Sequence, residues 1–269
     1  MKSTILLIMA LLCKTVILFE PMYPQKNKEN SKSEFVENWA GNIKYRRDQI
    51  LFPKSIEELR KIVTENDKVR VAGSFHSFNN MLNTEGVIIS TKFLKNIDCC
   101  KENTVYFEAG LTYIQLANYL DERGYAITNF PSFPHINVIG SMVTGTHGSG
   151  FRYGIMASLL DEYTILTASG ELITYTRGDP DFDDMLVGFG FLGIVVSGRM
   201  RVEPKFEVLK CVYKKIDFQQ FVDNYEQFIT GKEYMSIFGD FESNQITSVW
   251  FLYRQDNPNN PKGNQELQN

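Results

Sequence analysis

The amino-acid sequence predicts an α+β fold, and two patterns support this prediction. An amphipathic stretch at residues 55–63 leads into a short β-branched run at residues 69–71, and this alternation of helix and strand indicates a small α/β unit. Farther along, residues 163–167 and 171–176 flank a short turn, which is typical of an antiparallel hairpin. With 43% apolar residues in 269, the chain is long enough for one large or two modest domains with a proper core.

The first 20 residues have the pattern of a targeting segment. Lys2 precedes an apolar run at residues 5–13, which has the length of a signal-peptide core, and Lys14 ends this run with a charge. A membrane-spanning helix needs about 20 apolar residues, so a short membrane anchor and a packed helix are alternatives to a signal peptide. Residues 21–34 are predicted to be a polar linker. The segment predicts a secretory or membrane-associated protein.

Local signals predict the next elements in order. Ser55 with Glu58 three residues later begins a helix whose apolar stripe is core. Thr112 begins a second helix, which Gly124 ends. Strands are expected at residues 69–71, 87–90, 104–107, 125–128, 163–167, 171–176 and 194–202.

Two further segments complete the chain. The acidic residues 179–184 are predicted to begin a helix, since carboxylates favour the positive end of the helix dipole. Pro204 marks a domain boundary, after which we expect strands and one helix and then a disordered tail. These elements are a strand at 206–216, a helix at 217–229, strands at 235–240 and 246–253, and the tail at 257–269.

Charge and cysteine content exclude several function classes. The chain has 28 basic and 32 acidic residues and a net charge of -4, with no basic block that would neutralise nucleic-acid phosphates. Its four cysteines do not form a disulfide framework, and the adjacent Cys99 and Cys100 are not expected to pair. No metal site is predicted. The composition therefore favours a small-molecule partner.

A short loop after the strand at residue 69 is the first candidate for ligand binding. In residues 69–79, VRVAGSFHSFN, the β-branched run ends at Ala72 and Gly73, so backbone can approach a ligand there. His76, one of three histidines in the chain, lies on this loop.

A second glycine-rich loop lies at residues 136–150, INVIGSMVTGTHGSG. Its glycines alternate with Ser and Thr, so bare N–H groups and hydroxyls are available to bind a pyrophosphate. Pro131 and Pro134 make the preceding segment a rigid connector. Neither the P-loop pattern nor G-x-G-x-x-G is present, so a pair of ordinary tight loops remains an alternative.

Together, GSFHSFN and PSFPHINVIGSMVTGTHGSG resemble the flavin domain of the alditol oxidase and aldonolactone oxidase branch of the vanillyl-alcohol-oxidase superfamily. The resemblance runs from about Asn38, in NWAGNIKY, to about Asp256. It implies a two-subdomain PCMH-type FAD-binding domain at residues 35–204, followed by the beginning of an α+β substrate (cap) domain at residues 205–256. Phe75 departs from the pattern, because relatives often carry Gly or Arg there.

The resemblance also implies the site residues. FAD is bonded covalently to His76, and Ile194 and Val195 in GIVVSGRMRVEP face the adenine end. No catalytic residue is assigned, because the family keeps those in the rest of the cap. Apart from the resemblance, His135 and His147 are predicted to have structural roles, because a buried imidazole usually needs only a hydrogen-bond partner. The FAD-contacting positions are Val71, Ala72, Gly73, Ser74, Phe75, His76, Ser77, Ser132, Asn137, Gly140, Ser141, Met142, Val143, Gly145, Thr146, His147, Gly148, Ile194 and Val195.

The function that this resemblance implies is an FAD-dependent oxidase of the alditol oxidase or D-arabinono-1,4-lactone oxidase type. Flavin accepts a hydride from a polyol or sugar lactone and passes electrons to O₂. Because the sequence stops where relatives continue into the cap, a truncated flavin-binding module with little or no turnover is an alternative. A zinc hydrolase built on His76, His135 and His147 is a third hypothesis.

Overall fold

The computed structural model describes residues 34–184, 186–229, 233–240, 242–243 and 245–255. The predicted N-terminal targeting segment, nearly all of the polar linker and the predicted tail lie outside the described residues. The described chain divides into two compact units, residues 34–205 and residues 206–255.

The first unit contains twelve strands and three α-helices among its described residues. The strands are β1 Phe35–Glu37, β2 Lys44–Arg46, β3 Ile50–Leu51, β4 Val69–Ala72, β5 Val87–Ser90, β6 Ile97–Cys99, β7 Thr104–Glu108, β8 Tyr125–Ala126, β9 Leu160–Leu166, β10 Leu172–Thr176, β11 Ile194–Arg201 and β12 Glu203–Pro204. The helices are α1 Ile56–Glu65, α2 Tyr113–Asp121 and α3 Val138–Met142. Short 3₁₀ helices lie at Arg47–Gln49, Lys101–Asn103 and Met156–Leu159.

A small parallel sheet confirms the predicted α/β unit. Its order is β3-β5-β4, both pairs are parallel, and α1 connects β3 to β4. The Ser55 hydroxyl accepts the Glu58 N–H at 3.2 Å, as the sequence pattern predicts. Leu59 and Val63 on α1 are buried in one apolar cluster with Ile89 of β5. This packing fixes the end of β4, where the first loop begins.

An antiparallel sheet forms the second layer, in the order β10-β9-β11-β7-β6. The predicted hairpin is confirmed, because β9 pairs with β10 in the register Thr164 opposite Thr174. The largest apolar cluster lies between this sheet and helices α2 and α3, with Phe107, Leu116 and Val138 fully buried. Two small antiparallel pairs, β1-β2 and β8-β12, complete the unit.

The helix predicted at residues 179–184 is wrong, since the structure has a series of turns there. The Asp179 carboxylate accepts the Thr176 N–H at 2.7 Å, and Gly178 has a φ of +104°. Short acidic side chains bond local backbone N–H groups and so compete with helix formation.

The second unit is a three-stranded antiparallel sheet with two short helices. Its elements are β13 Val208–Asp217, α4 Phe218–Asp223, α5 Tyr225–Ile229, β14 Tyr234–Asp240 and β15 Gln245–Arg254, and the sheet order is β13-β15-β14. Asp217 accepts the Gln220 N–H and begins α4, but the predicted single helix is interrupted at Asn224. Phe221 of α4 packs with Val249 and Phe251 of β15.

The two units give the α+β fold class that the sequence predicts. In the described part of the chain, no helix is long and apolar enough to cross a membrane.

Candidate functional site

The first candidate loop leaves the carboxyl end of the parallel strand β4. Within the described residues, the backbone N–H groups of residues 73–77 have no acceptor in the protein. Phe75 has a φ of +54°, in the left-handed region that favours glycine. Successive free N–H groups with a left-handed residue among them form a concave anion-binding surface. This loop can therefore accept a phosphate group.

Asn137, at the start of α3, joins the second loop to the first. Its backbone N–H donates to the Ser74 Oγ at 3.0 Å. A Cβ on Gly73 would lie 2.4 Å from the Asn137 Cβ, which is closer than real side-chain contacts allow. The absence of a side chain at Gly73 is what lets the two loops touch.

The Asn137 side chain is itself fixed by the core. Its Nδ2 donates to the Ala109 carbonyl at 2.6 Å and to the Leu111 carbonyl at 3.1 Å. Its Oδ1 accepts the Gly140 N–H at 2.7 Å and so caps α3. Asn137 is 5% exposed, so these bonds form away from water.

The turn after α3 differs from the first loop because its own backbone uses its N–H groups. The amides of Thr144, Gly145 and Thr146 donate to carbonyls of Ser141 and Met142. Gly145 has a φ of +75°. These N–H groups are therefore used to form the turn, whereas the N–H groups of residues 73–77 on the first loop are not used in this way.

Gly148 shows the same close packing. A Cβ there would lie 2.0 Å from the Asn129 Oδ1 and 2.9 Å from the Phe130 carbonyl. Asn129 is buried, so it cannot move aside into solvent.

Ser141 and Met142 face the core, with exposed fractions of 5% and 1%. The Ser141 hydroxyl donates to the Val138 carbonyl at 2.7 Å and lies 2.8 Å from the Tyr113 hydroxyl, which donates to it. Burial raises the pKa of Tyr113 above its ordinary value, so this phenol stays protonated. The Ser141 side chain is thus occupied inside the protein.

His76 lies among three aromatic rings. Its imidazole stacks on Trp39 with a centroid distance of 4.6 Å and an interplanar angle of 20°. The Phe78 and Phe133 rings are each 5.5 Å away. The His76 Nε2 is buried and has no hydrogen-bond partner in the described chain. Burial lowers the pKa of His76, and the charge of His135 lowers it further.

The three histidines do not form a cluster. His147 is exposed, and its Nδ1 lies 2.8 Å from the Gly148 carbonyl. Among the described side chains, no group of three or more His, Cys, Asp or Glu residues could hold a metal ion. The zinc-hydrolase hypothesis needs such a group, so the structure gives it no support.

The structure brings only some of the remaining predicted FAD-contacting residues together. Val143 and Val195 line one apolar pocket with Tyr163, while Ile194 is buried in the cluster around α1. Ser132 is exposed on the connector before His135. Val71 and Ala72 lie within β4, directly before the first loop.

The sequence pattern did not identify three residues that hold the first loop. Asn38, Trp39 and Asn42 lie in the turn between β1 and β2. They donate hydrogen bonds to the carbonyls of residues 75, 77 and 78. The motif NWAGN contains all three and marks the beginning of the resemblance, but nothing in its spacing reveals a contact with a segment more than 30 residues away.

The chain is similar to a family of FAD-binding domains and to several oxidases. Residues 48–176 match a family described as FAD binding domain. Alditol oxidase from a Streptomyces species is 31% identical over 83% of this chain and 55% of its own length. D-arabinono-1,4-lactone oxidase from Kluyveromyces lactis is 32% identical over 77% of this chain and 42% of its own length. The chain spans about half the length of the curated relatives that it matches.

Solved structures show the same fold. Cholesterol oxidase from B. sterolicum superimposes with a TM-score of 0.74 at 19% identity, over 82% of this chain and 47% of that chain. A solvent-stable cholesterol oxidase gives a TM-score of 0.70 at 21% identity, over 81% of this chain and 47% of its own.

Proposed function

We propose that this chain, which carries an FAD-binding domain homologous to those of alditol oxidase and D-arabinono-1,4-lactone oxidase, is an FAD-dependent oxidoreductase that oxidises the CH–OH group of a polyol or sugar lactone. The observation that carries the proposal is the contact between the two loops, in which the Asn137 N–H donates to the Ser74 Oγ. Unpaired N–H groups on residues 73–77 lie beside His76, and Asn137 fixes them against α3.

The residues present fit FAD. The free amides of the first loop are suited to the pyrophosphate, since backbone donors bind anions without a cationic side chain. Gly73 lets Asn137 pack directly against this loop and so helps to hold the amides in place. When bound, FAD supplies the two-electron acceptor for the substrate C–H hydrogen.

His76 is the residue to which FAD is attached in this proposal. Its unpartnered Nε2 and its aromatic surroundings favour the neutral imidazole, which is the nucleophilic form. Attachment replaces the imidazole N–H and one flavin C–H by an N–C bond. The two electrons and two protons released pass to O₂ and give H₂O₂, so the step balances with dioxygen as oxidant.

The remaining site residues are assigned by position. Val71, Ala72, Gly73, Ser74, Phe75 and Ser77 supply backbone from β4 and the first loop, and Asn137 orients that loop. Ser132, Gly140 and Val143 supply surface from the second segment, Ser141 and Met142 support it from the core, and residues 145–148 pack behind the phosphates. We assign residues 206–255 to the beginning of a substrate-binding unit.

The acceptor and the cellular location are also proposals. Dioxygen accepts the electrons, as the word oxidase in the names of the relatives suggests. The apolar run at residues 5–13 after Lys2 directs the chain to the secretory pathway or a membrane. Expression in a secreting eukaryotic host, followed by amino-terminal sequencing of medium and membrane fractions, tests the location. Protein with an intact amino terminus in the soluble cell fraction would contradict it.

Anaerobic reduction tests the activity. The purified protein, first shown by its absorption spectrum to contain flavin, is mixed under nitrogen with xylitol, sorbitol and a gulono- or galactonolactone. We expect one of these to bleach the flavin band, and admission of air to restore it. Flavin that stays oxidised with all of them would contradict the oxidoreductase and leave a cofactor-binding module. Matched reactions with the His76→Ala variant show whether attachment affects the rate.

A further inference from the structure

We propose that the turn Asn38–Asn42, which we call the bracket, is a positioning device that holds the His76 loop in the geometry needed for flavin attachment. This inference rests on the proposed function, because it concerns the same histidine. It assigns a role to residues outside the FAD-contacting set given by sequence resemblance.

The bracket bonds the loop through carbonyl groups on both sides of His76. The Trp39 N–H donates to the Phe75 carbonyl at 2.8 Å, and the Asn38 Nδ2 donates to the Ser77 carbonyl at 2.8 Å. The Asn42 Nδ2 donates to the Phe78 carbonyl at 3.2 Å. Three bonds within a four-residue stretch fix the path of the loop backbone.

All three of these bonds end on carbonyl oxygens of the loop. None of them uses a loop N–H group, and among the described residues the N–H groups of residues 73–77 have no acceptor. The pattern indicates that the bracket shapes a ligand-binding surface.

Asn38 holds the bracket itself together. Its Nδ2 also donates to the Asn42 Oδ1 at 2.7 Å, and its Oδ1 accepts the N–H groups of Asn42 and Ile43 at 3.1 and 3.0 Å. With 4% exposure, Asn38 makes four hydrogen bonds away from water. A variant that loses the Nδ2 donors removes both the bond to the Asn42 side chain and the bond to the Ser77 carbonyl.

Trp39 holds the imidazole ring. Its indole stacks on His76 at 4.6 Å and also contacts Phe133 and Phe78 edge-on at 5.8 and 5.9 Å. Trp39 therefore stacks on the imidazole, and the Phe78 and Phe133 rings lie beside it. Burial keeps the imidazole neutral by lowering its pKa, and His135 is the titratable group that adds to this effect. A ring held in one orientation needs less rearrangement before a bond can form.

The test compares bracket variants with matched controls in the full chain. Trp39→Leu removes the stacking ring, Trp39→Phe restores part of it, and Asn38→Asp removes two donors at nearly constant size. Asn66→Asp is the control, since it removes the Nδ2 bond to the Ile62 carbonyl far from the loop. Covalent flavin is measured over time after FAD is added to apo-protein, and the His76 titration is followed by NMR with ¹³C-labelled histidine.

We expect Trp39→Leu and Asn38→Asp to acquire covalent flavin at least about tenfold more slowly than the wild type, because small misplacements of reacting groups have large effects on rate. Trp39→Phe recovers part of the rate, and Asn66→Asp keeps all of it. In Trp39→Leu the His76 pKa moves up toward its ordinary value. A native attachment rate and an unchanged His76 titration in Trp39→Leu would overturn the inference.

The two proposals fail in different ways. If wild-type protein acquires no flavin on His76, the attachment proposal is wrong, while the titration of the imidazole still reports whether the bracket holds the ring. If wild-type protein acquires flavin and the bracket variants match it in rate, only the bracket inference is wrong.

Discussion

The backbone N–H of Asn137 donates to the Oγ of Ser74 at 3.0 Å, and this bond joins two loops that are 63 residues apart in the chain. The Asn137 side chain is anchored to the core through the Ala109 and Leu111 carbonyls. Because Asn137 also bonds Ser74, it holds the first loop in a fixed position relative to α3. The proposed FAD site therefore depends on one buried amide side chain as much as on its glycines.

The first prediction is that Asn137→Asp is strongly destabilising. A carboxylate cannot donate to the two carbonyls, and it would bury a charge beside them. We expect a loss of about 2–4 kcal/mol in the free energy of unfolding, measured by urea denaturation. Asn79→Asp is the matched control, because Asn79 is exposed and the structure uses its Oδ1 as an acceptor. Equal stability of the two variants would contradict the assigned role.

The second prediction concerns the close contact at Gly73. Gly73→Ala places a methyl group 2.4 Å from the Asn137 Cβ, so the loops must separate. We expect a lower Tm and weaker FAD binding, measured by flavin fluorescence titration of apo-protein. In Gly140→Ala the added methyl group would be 3.2 Å from the Asn137 Oδ1, and the loss should be smaller. The reverse order of these two variants would show that the loops do not meet at Gly73.

The third prediction concerns the pH dependence of apo-protein stability. The pKa of His76 is lowered in the folded protein, whereas an unfolded histidine titrates near about 6.5. The unfolded chain then binds more protons in the interval between these values, so stability falls as the pH drops below about 6.5.

Thermal unfolding at about pH 8 and about pH 5.5 measures this effect. We expect the wild type to lose more stability on acidification than His76→Phe does. His147→Gln should keep the wild-type dependence, because His147 is exposed. A His76→Phe protein that loses as much stability as the wild type would refute the prediction.

Local signals predicted much of the fold. The Ser55 cap, the hairpin around residues 168–170 and the helix after Thr112 each depend on residues within a few positions of one another. The acidic segment at residues 179–184 was misassigned because Asp179 bonds the Thr176 N–H in place of a helical turn.

The sequence predicted which segments contribute to the candidate site, but it did not predict the contacts between them. Glycine and serine content located both loops, and one histidine stood out within the first. The sequence did not reveal that Asn137 reaches the Ala109 carbonyl or that Trp39 stacks on His76. These contacts join segments that are distant along the chain, and tertiary packing alone brings them together.

The most direct test of the central claim is mass spectrometry of the purified protein. Acid precipitation removes flavin that is not covalently bound, and trypsin then releases residues 71–92, which lie between Arg70 and the cleavage site after Lys92 and contain His76. We predict that this peptide carries the mass of FAD less two hydrogens, with the fragment ions placing it on His76. Flavin found entirely in the acid supernatant, with the peptide unmodified, would contradict the account.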